Sequence, residues 1–261
     1  MRKAGHVVAT VLHELEQLLR PGVTTQELDQ CAEKQLSKLD AESPFKGYRP
    51  TRSHVPFPGV TCMSVNSEIV HGVPSDRKLV EGDILTIDCG AIYNGWMADS
   101  AWTFPIGEIS DGAHDLLDAT KKALYASIES ARAGNRTGDV AETMQNAVED
   151  RGYNVIRHHT SHGIGRNLHE DPQILNHGRA KSGPTLKPGM TIALEPMVLA
   201  GHYDTTVMND QWTVAASDGH LTAHFEHTIA ITNDDAEILT QLNSNGRSEE
   251  HTSELQSLVN P

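Results

Sequence analysis

Leu79-Val80-Glu81-Gly82-Asp83-Ile84-Leu85-Thr86-Ile87-Asp88 and Leu186-Lys187-Pro188-Gly189-Met190-Thr191-Ile192-Ala193-Leu194-Glu195 are two copies of one pattern. Each reads Leu-x-x-Gly, then an apolar run, then a carboxylate six residues after the Gly. A His-Gly pair precedes each copy, His71-Gly72 and His162-Gly163. Internal repeats reveal architecture. This one predicts two similar halves, each placing an acid at the end of a buried strand. A buried charge is expensive unless it is paired or binds a metal. Two such acids meeting at a pseudo-symmetric centre predict a metal site.

Outward from the repeats, each copy is preceded by a pair of helices. Val7, Val8, Val11, Leu12, Leu15, Leu18 and Leu19 recur at helical spacing and end before Pro21-Gly22. Thr24-Thr25-Gln26-Glu27 offers a capping box for a second helix that runs to about Leu39. Residues 43–61 are rich in Pro, Gly, Arg and Ser and read as loop. Asp111 opens a long third helix through Leu116, Leu117, Leu124 and Ile128 to Gly134. Thr137 opens a fourth, ending at Gly152.

The first half also yields geometry. Asn94-Gly95 stands between Ile84–Tyr93 and Trp96–Phe104, a strong signal for a hairpin with a type I′ turn. A two-residue loop sets Gly90 opposite Asp99 and Asp88 opposite Ala101. Asp88 and Asp99 then become diagonal neighbours on one side, roughly 7 Å apart at the backbone. Two carboxylates that close repel, so either one is protonated as in an acid–base dyad or a cation lies between them.

In the second half, Pro196 follows Glu195 and is expected to stop the strand pairing. Thr222 to Ile231 reads as one strand, with His224, Glu226 and Thr228 on one side and Phe225, His227 and Ile229 on the other. His162 sits in Ser161-His162-Gly163-Ile164-Gly165, where glycines permit close backbone approach. His169 follows in Leu168-His169-Glu170-Asp171-Pro172.

Composition narrows the function. A formal net charge of −14 argues against nucleic acid or an anionic membrane as partner. No apolar run approaches the ~20 residues of a membrane span. Three scattered cysteines, Cys31, Cys62 and Cys89, suggest neither a disulfide framework nor a Cys-x-x-Cys site, and point to the cytoplasm. The chain is expected to form one domain over residues 1–246, with pseudo-repeats of about 1–110 and 111–242. Residues 247–261 look foreign, like the in-frame translation of a short-read sequencing adapter, and are expected to be disordered. Their Arg247, Glu249, Glu250 and Glu254 account for two of the negative charges, leaving −12.

Taken together, Val70-His71-Gly72-Val73-Pro74, Ile87-Asp88, Ala98-Asp99-Ser100, Ser161-His162-Gly163-Ile164-Gly165, His169-Glu170-Asp171-Pro172, Leu194-Glu195-Pro196 and Phe225-Glu226-His227-Thr228 resemble the methionine aminopeptidases in their type I bacterial form. The resemblance covers nearly all of residues 1–242. It implies an α+β "pita-bread" fold, a curved antiparallel sheet backed by two helix pairs with internal pseudo-two-fold symmetry. It implies that Asp88, Asp99, His162, Glu195 and Glu226 hold two divalent metal ions. This oxygen-rich set favours Mn, Fe or Co, with Zn possible. A metal pair about 3.5–4 Å apart can acidify a shared water.

The resemblance further implies removal of the N-terminal Met from nascent polypeptides with a small second residue, by a monomer acting at the ribosome. Glu195 would serve as general base, His169 would stabilise the oxyanion, and His71 would contact the scissile amide. Motif alignment places Phe57, Cys62, Leu168 and Trp212 at the methionine pocket, although Cys and Trp are also usually buried in cores. Three rival readings are weaker. Xaa-Pro peptidases of this fold usually carry an extra N-terminal domain. Metal-free binding relatives would lack the ligands and have a basic surface. A metal-independent creatinase-like activity is disfavoured by the same complete ligand set.

Overall fold

The computed structural model describes residues 1–242; the 247–261 tail lies outside the described residues. Helix α1 (Arg2–Glu16) buries Val7, Val8, Val11, Leu12 and Leu15 on one stripe. Helix α2 (Thr25–Lys38) begins in the expected capping box. The Glu27 N–H donates to the Thr24 hydroxyl at 3.1 Å, and the Thr24 N–H donates to the Glu27 carboxylate at 2.9 Å. Strands β1 (Thr61–Val65), β2 (Glu68–Val70), β3 (Ile84–Tyr93) and β4 (Trp96–Pro105) complete the first half.

The second half opens with α3 (Asp111–Ser130) and α4 (Thr137–Glu149). Helix α3 stops short of Gly134 because Ala131, at ψ 61°, leaves the helical conformation, and the Gly134 N–H then donates to the Leu186 carbonyl at 3.0 Å. Short strands follow: β5 (Asn154–Val155), β6 (Thr160–Gly163), β7 (Glu170–Leu175), β8 (Thr191–Leu194), β9 (Met197–Leu199), β10 (Thr205–Val207), β11 (Val214–Ala216), β12 (Thr222–His224), β13 (His227–Ala230) and β14 (Glu237–Ile238). The strands are antiparallel throughout, and the architecture is the α+β pita-bread fold. Each helix pair packs on its own half's strands around a separate apolar cluster.

The β3–β4 hairpin forms in the expected register, with Gly90 opposite Asp99 and Asp88 opposite Ala101. Asn94 and Gly95 both have positive φ, at 50° and 73°, as a type I′ turn requires.

Two strands differ from expectation. Pro196 interrupts pairing only briefly, because β9 resumes at Met197. The Thr222–Ile231 segment is correspondingly split into β12 and β13. β12 pairs with β9 and β13 with β8, so matching breaks fall at Glu195-Pro196 and Phe225-Glu226. The proline has no N–H for the ladder. The Glu226 N–H turns instead to the Ala101 carbonyl of the other half, at 2.8 Å.

The pseudo-two-fold is legible bond by bond. Gly22 N–H donates to the Leu79 carbonyl as Gly134 N–H donates to that of Leu186. Gly82 N–H donates to Ile106 as Gly189 N–H donates to Ile231, both at 2.9 Å. Gly82 and Gly189 share a φ of +91°, which explains the glycine of each repeat. The central strands correspond as β1 to β6, β3 to β8 and β4 to β13.

Across the axis the two halves are stitched by threonines. The Thr228 hydroxyl bonds the backbone of Asp99, and the Thr103 hydroxyl bonds that of His224. Asp88 therefore corresponds to Glu195, Asp99 to His224, Ala101 to Glu226 and Thr103 to Thr228. Register also corrects the His-Gly reading. Thr86 pairs with Ser64 and Ala193 with His162, so Ser64, not His71, is the counterpart of His162.

Candidate active site

Asp88 and Asp99 arrive on the hairpin, His162 on β6, and Glu195 and Glu226 at the two matching strand breaks. A break frees a side chain from strand geometry, so both glutamates can turn inward. A β-bulge between His162 and Gly163 re-aims β6 at the same place. A Cβ on Gly163 would lie 2.2 Å from the Asp171 carbonyl oxygen, so only glycine admits that approach.

Side-chain atoms of Asp99, His162 and Glu226 lie within 4.8 Å of one another. His162 Nε2 stands 3.6 Å from Glu195 Oε1. The His162 Nδ1–H donates to the Gly163 carbonyl at 2.9 Å, which leaves Nε2 with its lone pair facing the cluster.

The electrostatics identify what this cluster can hold. Burial raises the Asp99 carboxyl to about 6 and pushes Asp88, Glu195 and Glu226 well above the usual carboxylate range. The Asp99 charge adds to the rise in the other three. Burial also lowers His162 to about 4, keeping its imidazole neutral. Asp88 Oδ1, Asp99 Oδ1 and Glu226 Oε1 are buried without a hydrogen-bond partner. Four acids that repel, orphaned oxygens and one neutral imidazole are the donor set for hard divalent cations.

The cluster forms the floor of a cavity of about 810 Å³. Phe57, Cys62, Leu168 and Trp212 share one apolar group with Phe45 on its wall. Trp212 packs edge-on against Phe57 at 5.3 Å and donates its indole N–H to the Val55 carbonyl at 3.0 Å. Cys62 pairs with Asp88 across β1 and β3. Burial and then the Asp88 charge raise its thiol, which stays protonated and packs as an apolar wall.

His71 and His169 line the same cavity. His71 follows β2 with φ of 59°, and burial drives its pKa to about 3. His169 sits 4.5 Å from His162, ring centre to ring centre, and its Nδ1 meets the Tyr48 hydroxyl at 3.1 Å. Every site residue expected from sequence thus borders one cavity.

Sequence reading missed Tyr48, His159 and His224, which line it too. Tyr48 and His159 lie outside the quoted motifs, and Tyr48 falls within a stretch read only as loop. His224 carried a signal, because it shares alternation with Glu226.

The sequence profile of metallopeptidase family M24 matches residues 1–233. Methionine aminopeptidase 1 of Bacillus subtilis is 46% identical over 242 residues, covering 93% of this chain and 95% of that protein. The crystal structure of a methionine aminopeptidase from Thermotoga maritima superposes with a TM-score of 0.89 at 42% identity, covering 93% of this chain and 95% of that one. A prolidase from Pyrococcus furiosus shares the fold, with a TM-score of 0.75 at 22% identity, and this chain spans 63% of its length.

Proposed function

The chain belongs to metallopeptidase family M24, and on that premise we propose that it removes the N-terminal Met from newly made polypeptides. The carrying observation is the convergence of Asp88, Asp99, His162, Glu195 and Glu226 on a cavity of about 810 Å³ that has one apolar wall of Phe45, Phe57, Cys62, Leu168 and Trp212. That apolar wall suits an unbranched thioether side chain, and the rest of the cavity leaves room for the peptide that follows it. Similarity to the Bacillus subtilis and Thermotoga maritima methionine aminopeptidases supports the same reading.

These five residues would hold two divalent ions, of Mn, Fe or Co, with Zn an alternative. Bound metal supplies Lewis acidity, polarising the scissile carbonyl and acidifying water. The protein supplies the rest. Phe57, Cys62, Leu168 and Trp212 seat the Met side chain and exclude water from around it. Glu195 accepts the proton of the attacking water as general base and passes it on to the leaving amine nitrogen as the C–N bond breaks.

His169 Nδ1 lies 3.1 Å from the Tyr48 hydroxyl; with that hydroxyl donating to Nδ1, the ring carries its proton on Nε2, and that N–H would hydrogen-bond the carbonyl oxygen as charge develops there. His71 is neutral by burial and hydrogen-bonds the scissile amide as its nitrogen leaves. The protein works as a monomer in the cytoplasm on nascent chains at the ribosome, and favours a small second residue. No helix among the described residues is long and apolar enough to cross a membrane.

The test is to strip the protein with chelator, restore Mn, Fe or Co, and compare Met release from Met-Ala-Ser with cleavage of an Ala-Pro peptide. Metal-dependent Met release is expected. Its absence, or preference for Ala-Pro, overturns the reading.

A further inference from the structure

His224 is buried, with 1% of its surface exposed, and neither ring nitrogen has a hydrogen-bond partner. A buried polar group in that state is costly, and native proteins rarely leave one so. The ring cannot be relieved by a shift of its backbone. The His224 N–H donates to the Thr103 hydroxyl at 2.9 Å, and that hydroxyl donates to the His224 carbonyl at 2.9 Å. Its Nε2 lies 3.7 Å from Glu195 Oε2 and 3.9 Å from Glu226 Oε2.

Those separations are too long for hydrogen bonds. They suit donors that share a cation. Two ligands each about 2.1 Å from one ion lie about 3 Å apart at right angles and about 4.2 Å apart in line. His162 stands in the same relation to the other oxygen of Glu195, at 3.6 Å. The Glu195 carboxylate is therefore bracketed by two imidazoles, one on each oxygen.

Symmetry supplies an independent argument. His224 is the counterpart of Asp99 under the pseudo-two-fold, since Thr228 holds the Asp99 backbone as Thr103 holds that of His224. Asp99 is among the acids that converge on the centre. The equivalent backbone position in the other half aims its side chain at the same centre from the opposite side.

We propose that His224 is a second imidazole ligand of the metal centre, joining His162 and the four carboxylates. This rests on the metal-centre reading given above and extends it. A second nitrogen donor makes the site less purely oxygen-rich and raises its affinity for Zn²⁺ and Co²⁺ relative to Mn²⁺.

Load the full chain with Co²⁺ and count coordinated imidazoles by X-ray absorption. Compare His224→Gln and His162→Gln, with circular dichroism checking that each variant is folded. Two imidazoles per protein are expected, falling to one in either variant, with a tenfold or greater loss of Zn²⁺ affinity in His224→Gln. A Zn²⁺ titration of the unsubstituted protein followed by histidine ¹⁵N shifts needs no variant. Two metal-bound ring nitrogens assigned to His162 and His224 are expected. One bound imidazole, unchanged by His224→Gln, overturns the proposal while leaving the metal centre standing. A protein that binds no metal overturns both.

Discussion

The single hydroxyl of Thr228 satisfies both backbone groups of Asp99, accepting from its N–H at 2.9 Å and donating to its carbonyl at 2.8 Å. All partners are buried, and the two residues belong to opposite halves of the molecule. Thr228→Val keeps the shape and leaves two backbone groups unpaired. Each costs about 1–3 kcal/mol. Denaturant unfolding should show a loss of about 2–6 kcal/mol, mostly restored in Thr228→Ser. An unchanged midpoint in Thr228→Val would show that the stitch is not a stabilising contact.

Metal removal should separate stability from charge. Any ligand that binds only the folded chain stabilises it, by about 2.7 kcal/mol at one hundred times its dissociation constant. Chelation should therefore lower Tm. Asp99→Asn should act in opposite directions in the two states. It removes one of four repelling acids, so the metal-free variant melts higher than its parent. It also removes a donor, so added Mn²⁺ or Co²⁺ raises its Tm less. Calorimetry with and without metal checks both signs.

The half-buried His71 sets a pH dependence. Its folded pKa, about 3, lies below the ordinary value of 6.5 because burial disfavours the charged ring. The unfolded chain thus binds more protons at this site below pH 6.5. The associated stability is present above that pH and is lost as pH falls toward 3. His71→Ala should lose less stability than its parent between pH 7.5 and 4.5. Parallel pH curves from urea titrations would contradict this.

Tyr48 should matter through His169. Tyr48→Phe removes the hydroxyl 3.1 Å from His169 Nδ1, the group that orients this imidazole. A proton donor that loses its orientation forfeits part of a contribution of about 10²–10⁴-fold. The expected signature is a lower kcat with KM and metal content unchanged, measured on Met-Ala-Ser.

The sequence made local patterns plain and long-range ones faint. The β3–β4 register followed from Asn94-Gly95 because a two-residue turn leaves the strands no freedom to slip. The capping box at Thr24 was equally local. The split of Thr222–Ile231 was not legible, because its cause is Ala101, more than a hundred residues away, taking the Glu226 N–H. Matching His71 to His162 from their His-Gly pairs failed for a related reason. Correspondence is set by strand register, and Ser64 occupies the equivalent place. Tyr48 reaches the site from a loop whose composition carried no periodicity.

The Thr103–His224 and Thr228–Asp99 contacts have a consequence for ancestry. A chain of half this length could not build the centre alone, since the hairpin brings only Asp88 and Asp99 while the facing acids come from elsewhere. Two copies placed about a true dyad would have met through these same threonines, with the cation near the axis and identical side chains on both sides. Joining the copies in one polypeptide released that constraint. Position 99 could keep an acid while position 224 became an imidazole, and position 226 could gain a carboxylate while its twin remained Ala101. In a single polypeptide a two-fold frame can carry one face for the metal and another for a peptide that has no symmetry of its own.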